Sequence, residues 1–491
     1  MREQRNALLY FAAAVVLTVA SVDGALAQKN AGRGPGPTVG GSGPQGPMHS
    51  GGYGGGGWSA AIPSVLMTIP QVVPQGGRVI DDGADYRDPQ GPRRQNFVRR
   101  GPSGVPPANE RRMAPDEVVF ELPNTITPQA IDALQRRSRL IPIESQTSQL
   151  TGTTLYRWRI PDRRLVTTMV RALETDSVIL SAQPNYLFTL QQSETKAEGD
   201  PAQYELAKLR LPQAHALAKG DNVLVAVIDS GVDVSHPDLA GAVAQSFNAI
   251  ETSPAPHKHG TAIAGLIAAH GRLIGSAPGA RILAIRAFDP AGASAEGSTF
   301  NILKSLDWAA ANGARIINMS FAGPADPAIH RSLEAARKKN IVLIAAAGNA
   351  GAKSPPLYPA ADPNVIAVTA TDADDNLFEK SNRGNHIALA APGAQIMVAI
   401  PDGGYEVASG TSYSAAEVAG IAALMLERKP NLTPDQVRGI LRATARDLGP
   451  KGHDVMFGAG LADAYGALMA DGVPMTAATP RPIERVSTGA R

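Results

Sequence analysis

Cysteine is absent from all 491 residues. That excludes disulfide staples, zinc–thiolate sites, thiol nucleophiles and lipid attachment through sulfur, while leaving the redox compartment undecided. A dominant charge is missing too. Lys and Arg total 46 against 44 Asp and Glu, a formal +2, so no nucleic-acid partner is expected and nothing draws the chain to anionic lipid. Long apolar runs are equally scarce. One run of 14 covers residues 7–20, too short for a bilayer crossing. Arg2 and Arg5 precede it and Ala25-Leu26-Ala27 follows, the layout of a secretory signal peptide over residues 1–27. An uncleaved anchor is the alternative. Once that leader is removed, no stable membrane insertion is expected, and the location is secreted or periplasmic, that is, extracytoplasmic.

Glycine and proline, at 50 and 39 residues, are abundant but unevenly placed. Residues 31–57 alone hold 13 Gly and 4 Pro. Chain entropy outweighs packing there, and the whole segment 28–115 is expected to be mostly disordered. Its Arg93-Arg94, Arg99-Arg100 and Arg111-Arg112 pairs read as solvated rather than as an RNA-binding surface. Between 116 and 192 the texture changes. Strand patterns near 117–122, 154–160 and 178–190 alternate with helical ones near 127–137 and 165–174, which suggests a small ferredoxin-like α+β sandwich of the split-βαβ type. Residues 191–202 are polar and read as an exposed linker.

From 205 to 470, apolar runs at 223–228, 281–287, 314–319, 341–347 and 365–371 alternate with helical patterns. Those fall near 259–270, 300–312, 327–339, 412–428 and 433–445. Such alternation predicts an α/β domain with a parallel central sheet and helices on both faces. The tail 471–491 is polar and expected to fray.

Three segments carry the chemistry: Asp229-Ser230-Gly231, His259-Gly260-Thr261 and Gly410-Thr411-Ser412, with Ala347-Gly348-Asn349 between the last two. A serine hydroxyl is a weak nucleophile that needs a base, and the base needs an orienting partner. Asp229 follows the first buried strand, at a carboxyl end where open α/β sheets place their sites. His259 opens a helix, and an imidazole is the side chain able to accept a proton near neutrality. Ser412 opens another, whose N-terminus offers free N–H groups to developing negative charge. Asn349 follows a buried strand and carries an amide donor. Four such segments, spaced 30, 90 and 63 residues apart, do not arise together by chance.

These residues resemble the subtilases, the subtilisin-like serine peptidases, over about 205–468. Val227-Ile228-Asp229-Ser230-Gly231-Val232 with His236-Pro237-Asp238-Leu239 looks like their aspartate motif, and His259-Gly260-Thr261 with Ala264-Gly265 like their histidine motif. Ile317-Asn318-Met319-Ser320 is similar to the strand lining their cleft, and Ala346-Ala347-Gly348-Asn349 to their oxyanion motif. Ser409-Gly410-Thr411-Ser412 with Val418-Ala419-Gly420 resembles the serine motif, and Gly458-Ala459-Gly460 with Asp463-Ala464 the usual end of the domain.

The resemblance implies a subtilisin-like three-layer domain and a serine endopeptidase acting on polypeptide substrates through an acyl-enzyme. Asp229 would orient His259, His259 would act as base then acid, and Ser412 as nucleophile. Asn349 would bind the oxyanion, Ser320, Phe321 and Ala322 would pair with an extended substrate, and Phe321, Ala347 and Gly348 would border its first pocket. Segment 116–192, ending in Ala182-Gln183-Pro184-Asn185-Tyr186, is similar to the family's propeptide. That implies an intramolecular inhibitor, a self-processed zymogen and a processing site in the linker 193–204, the cut falling somewhere in 190–203.

The chain departs from the family pattern at Ala262, where a second histidine is common, and at Ala322, where glycine is usual. It departs again at Tyr413-Ser414-Ala415-Ala416-Glu417, which leaves open whether the Glu417 charge reaches Ser412. Loop 270–275 lacks the Asp or Asn ligands of a calcium site, so no metal residue is assigned and no cofactor is certain. Plainer roles account for other candidates: His236 in a His-Pro-Asp turn, His257 without the Gly-Thr that follows His259, Asp233 and Asp238 as turn caps. Ser414 points elsewhere on its helix, and Tyr413 packs. An α/β-hydrolase esterase would need Gly-x-Ser-x-Gly and a later histidine, whereas Ser412 sits in Gly-Thr-Ser-Tyr-Ser and only His453 follows it. The remaining alternative is a catalytically silent surface or binding protein on the same fold.

Overall fold

The computed structural model describes residues 103–191, 203–250, 252, 255–290 and 295–470. The leader, most of the Gly/Pro-rich segment, the linker from 192 to 202 and the tail lie outside them.

The chain first builds a small sandwich. β1 (Met113–Pro123), α1 (Pro128–Ser138), β2 (Ile141–Ser148), β3 (Thr153–Arg159), α2 (Val166–Glu174) and β4 (Ser181–Leu190) follow in order. The strands form an antiparallel sheet in the order β4-β1-β3-β2. This is the split βαββαβ arrangement. Thr127 caps α1 by accepting from the Ala130 N–H, with Pro128 in the first turn, where its missing N–H costs nothing. Val166, Met169, Val170 and Leu173 give α2 a buried stripe at helical spacing. They close on Phe120 and Trp158, whose rings meet edge to face at 4.9 Å. The sequence patterns gave three of these four strands. β2 was missed because Ile141-Pro142-Ile143-Glu144-Ser145-Gln146-Thr147-Ser148 is a largely exposed edge with no apolar alternation. The unit also begins earlier than 116: Ser103 Oγ and the Gly104 N–H both donate to Glu174.

The second unit opens with the short helices α3 (Tyr204–Lys208) and α4 (Leu211–His215), then β5 (Leu224–Asp229), β6 (Val243–Asn248), α5 (Lys258–Ala268), β7 (Arg281–Arg286) and β8 (Glu296–Ser298). Next come α6 (Thr299–Ala311), β9 (Ile316–Met319), β10 (Phe321–Ala322), α7 (Pro327–Lys338), β11 (Val342–Ala346), β12 (Ile366–Thr371) and β13 (Ile387–Pro392). The hairpin β14 (Ile396–Ile400) and β15 (Gly404–Ala408) leads into α8 (Thr411–Arg428), α9 (Pro434–Thr444) and α10 (Ala464–Met469).

Among the described residues, seven strands pair in parallel in the order β13-β12-β11-β9-β5-β7-β6. Alternation along each strand splits the core in two. Val225, Val227, Ile282, Val342 and Ile344 pack with α5 and α8 on one face. Ala226, Ile228, Leu283, Leu343 and Ala345 pack with α6 and α7 on the other. α8 is buried all round, from Thr411 to Leu426, as a helix with no polar face must be. The expected three-layer α/β domain is what forms.

The two units share a sheet. β4 outruns its partner β1, and its last residues pair with β8 and with β10 of the second unit. Gln183 Oε1 and Asn185 Oδ1 accept from Ala328 and Phe300 N–H at the starts of α7 and α6, filling donors that a helix leaves open.

Candidate active site

Asp229 is the last residue of β5 and fully buried. The chain then turns through Gly231 at φ +113°, a left-handed value that favours glycine. The turn lies directly against the start of α5. A Cβ on Gly260 would come within 2.3 Å of Gly231 O, so only glycine lets His259 approach the end of β5 this closely. His259 Nδ1 is 2.8 and 2.9 Å from the two carboxylate oxygens of Asp229. A carboxylate only accepts, so Nδ1 carries the proton and Nε2 is left with its lone pair. That Nε2 is buried and has no hydrogen-bond partner. Asp229 Oδ1 also accepts from the Ser230 N–H at 2.8 Å. A neutral imidazole so held can take up a proton at Nε2 while the carboxylate stabilises the resulting cation.

Ser412, the second residue of α8, is fully buried. Its Oγ lies 2.5 Å from the carbonyl oxygen of Gln191 and 3.0 Å from that of Ser320. No hydrogen bond joins it to His259. Ser320 Oγ in turn donates to Ser412 O at 3.2 Å and accepts from Asn318 Nδ2 at 2.9 Å, fixing the strand end to the helix start.

Asn349 follows β11 and Gly348, which sits at φ +111°. Its Oδ1 accepts from the N–H and the hydroxyl of Thr411, at 3.1 and 2.9 Å. Those bonds turn Nδ2 the other way, where it is buried and unpartnered. Thr411 lies within the Gly410-Thr411-Ser412 segment, but nothing in the sequence assigns it a role of its own. Ala347 is buried, and its N–H is spent on Val368 O.

The cleft strand is already occupied. Phe321 and Ala322 pair with Leu190 and Thr189, and the Gln191 N–H donates to Ser320 O at 3.1 Å. Gln191 is therefore not part of an exposed linker, as its polar neighbourhood predicted. It is only 8% exposed. The Phe321 ring lies 4.9 Å from Phe288 and 6.0 Å from Phe188, so it belongs to the core beneath the strand rather than to the first pocket.

The remaining candidates take packing and capping roles. His236 Nδ1 accepts from the Asp238 N–H, and Asp238 accepts from the Arg272 and Leu273 N–H groups. Loop 270–275 is thus closed on a single carboxylate and presents no calcium-type ligand cluster. Ser414 Oγ donates to Ala391 O or Pro392 O, away from the cleft. Tyr413 is buried with its ring 6.0 Å from that of His259. His257 caps α5, its Nδ1 2.7 Å from Ser230 Oγ, and burial holds its pKa below the usual value. Glu417 is buried and accepts from Ser276 Oγ. Burial, reinforced by nearby Glu205, drives its carboxyl well above the usual range and so disfavours a negative charge there. Among the described residues, no group of three or more His, Asp or Glu could hold a metal, and no helix is long and apolar enough to cross a membrane.

Known proteins share this architecture. Residues 220–460 match the family model described as the Subtilase family. Subtilisin E of Bacillus subtilis (strain 168) is 37% identical over 274 residues, spanning 54% of this chain and 70% of its own. Thermitase of Thermoactinomyces vulgaris is 34% identical over 274 residues, spanning 54% and 95%. The crystal structure of fervidolysin from Fervidobacterium pennivorans, a keratinolytic enzyme related to subtilisin, gives a TM-score of 0.63 at 24% identity. That match covers 73% of this chain and 61% of fervidolysin, and speaks to the fold alone. The class is therefore a serine-type hydrolase. The chain belongs to the subtilase family, the subtilisin-like serine endopeptidases.

Proposed function

We propose that this chain is the precursor of an exported endopeptidase in which Asp229, His259 and Ser412 form the catalytic triad. Ser412 Oγ attacks the carbonyl carbon of the scissile bond while His259 Nε2 takes its proton. Asp229 holds the imidazole in the tautomer that leaves Nε2 bare. The oxyanion is received by Asn349 Nδ2 and the Ser412 N–H, which has no intrahelical partner at the second position of α8. The protonated imidazole then passes its proton to the departing amine, and water releases the acyl group from Ser412 by the reverse sequence. Extended polypeptides add as a strand to Ser320, Phe321 and Ala322. Residues 116–192 serve as the intramolecular inhibitor, residues 1–27 as the export signal, and self-cleavage in 190–203 releases the peptidase.

The observation that supports this reading most directly is the buried Ser412 hydroxyl held 2.5 Å from a peptide carbonyl, beside a His259 whose Nδ1 is paired with Asp229 and whose buried Nε2 has no partner. The missing His259–Ser412 bond fits a cleft whose serine is engaged by Gln191, since such bonds tighten only in the reactive complex. The test is self-processing in purified protein. Wild type is expected to convert to a shorter form that a fluorophosphonate labels at Ser412, and the Ser412→Ala chain to stay full length. Normal conversion of Ser412→Ala overturns the triad. A wild-type chain that neither converts nor takes the label supports the catalytically silent alternative.

A further inference from the structure

We infer that the bond cut in maturation is Gln191–Gln192, and that the peptidase selects glutamine before the cut. This rests on the peptidase reading above and gives it a substrate sequence.

The main chain fixes the position. Pairing of Ala322 with Thr189 and of Phe321 with Leu190 continues into the 3.1 Å bond from the Gln191 N–H to Ser320 O. The carbonyl that follows is the one 2.5 Å from Ser412 Oγ. Its carbon is one bond, about 1.2 Å, from that oxygen, so within the bound strand the nucleophile stands against this peptide, while its second contact, 3.0 Å to Ser320 O, is to the peptidase's own cleft strand. The balanced step forms Oγ–C at Gln191 and breaks C–N to Gln192. The hydroxyl proton passes through His259 to the new amine, and water then restores Ser412 and leaves a Gln191 carboxylate.

The side chains supply the preference. Gln191 Oε1 accepts from the Asn349 N–H at 2.8 Å, so the peptidase offers a fixed main-chain donor to an accepting side chain. Its Nε2 is satisfied within the bound strand, donating to Thr189 O at 3.1 Å. Both ends of the carboxamide are thus used. Lysine brings only donors to that N–H, and methionine loses the bond.

The first experiment is a time course of the full chain, with intact masses of the earliest fragments. The expected first products end at Gln191 and begin at Gln192, and Gln191→Lys slows the first cut by about tenfold or more. A first cut at any other bond, with Ser412→Ala still arrested, overturns this inference and leaves the triad standing. Conversion of Ser412→Ala brings down the underlying reading instead. A second measurement does not depend on folding of a Gln191 variant. Peptides containing Phe-Thr-Leu-Gln-Gln are offered to the enzyme matured from the full chain. Replacing the first glutamine by methionine is expected to lower kcat/KM about threefold or more, as loss of one neutral hydrogen bond should. Equal rates for glutamine, methionine and lysine overturn the preference.

Discussion

Thr411 decides which way the Asn349 amide faces. Its hydroxyl donates to Oδ1 at 2.9 Å while accepting from the Gly348 N–H at 3.1 Å, so the amide cannot flip without breaking a buried bond. If Nδ2 is the oxyanion donor, Asn349→Ala should slow self-cleavage about 10²–10³-fold, the range known for an oxyanion-hole amide in subtilisin, a relative. Thr411→Val keeps the donor but frees its orientation, and about a tenfold loss is expected. Rates of conversion of the purified precursor check both, and an Asn349→Ala chain that converts at the wild-type rate removes the amide from the mechanism. Residues of this kind differ in how well sequence displays them. Asp229, His259 and Ser412 stand beside small residues that close packing demands, so the chemistry and the turn are written together. Gln191 sits in a polar stretch that looks like solvent-exposed chain, and Thr411 gains its role only when β11 and α8 meet. Gln191 leaves no local signal, and Thr411 stands within the serine motif without one that tells its own role.

Helix α8 carries more than Ser412. Glu417, buried one turn further along, meets Ser276, and Glu205 from α3 has a buried oxygen without a partner. Burial pushes the Glu205 carboxyl up to about 7 and Glu417 well above its ordinary range. Carboxyls raised in the folded state favour folding fully below their unfolded pKa of about 4.5, and that advantage is lost as pH rises through the folded values. Glu417→Gln should therefore leave stability near pH 5 unchanged and raise it at pH 9 by on the order of 1 kcal/mol. Thermal unfolding of Ser412→Ala precursors at both pH values reads this without self-digestion, and an equal effect at both rules out titration of the pair. At this scale, the buried strands and amphipathic helices were legible because their period or unbroken apolar character is local. β6, with Val243-Ala244-Gln245-Ser246-Phe247-Asn248, and β2 were not: both lie at sheet edges, where solvent relaxes the demand for alternation. β13 is buried throughout, but its Ile387-Ala388-Leu389-Ala390-Ala391-Pro392 run is equally compatible with a helix.

Across the molecule, the small sandwich completes the larger domain rather than merely covering it. Asn185 joins three elements at once: its Nδ2 donates to Glu117 on β1 at 2.8 Å, and its Oδ1 accepts from the Phe300 N–H at the start of α6. Glu117 also takes Arg157. The neighbouring Gln183 bonds Asp326, the cap of α7, at 2.7 Å. These contacts are buried, so removing one partner strands the other in a low dielectric and costs about 1–3 kcal/mol. In a Ser412→Ala background, Asn185→Ala should lower precursor stability by about that amount. In the active chain the same substitution should act in the opposite sense on function. After the first cut, no covalent bond would hold the sandwich, which keeps its shared sheet, its apolar contacts, these helix-end bonds and side-chain pairs such as Lys304–Glu144 and Arg331–Glu121, so weakening the helix-end bonds should hasten its departure and bring activity sooner. Stability loss together with earlier activity identifies the sandwich as a detachable inhibitor. Stability loss with no change in the onset of activity would mean that release is limited by something other than this interface, and would count against the inhibitory role assigned to residues 116–192.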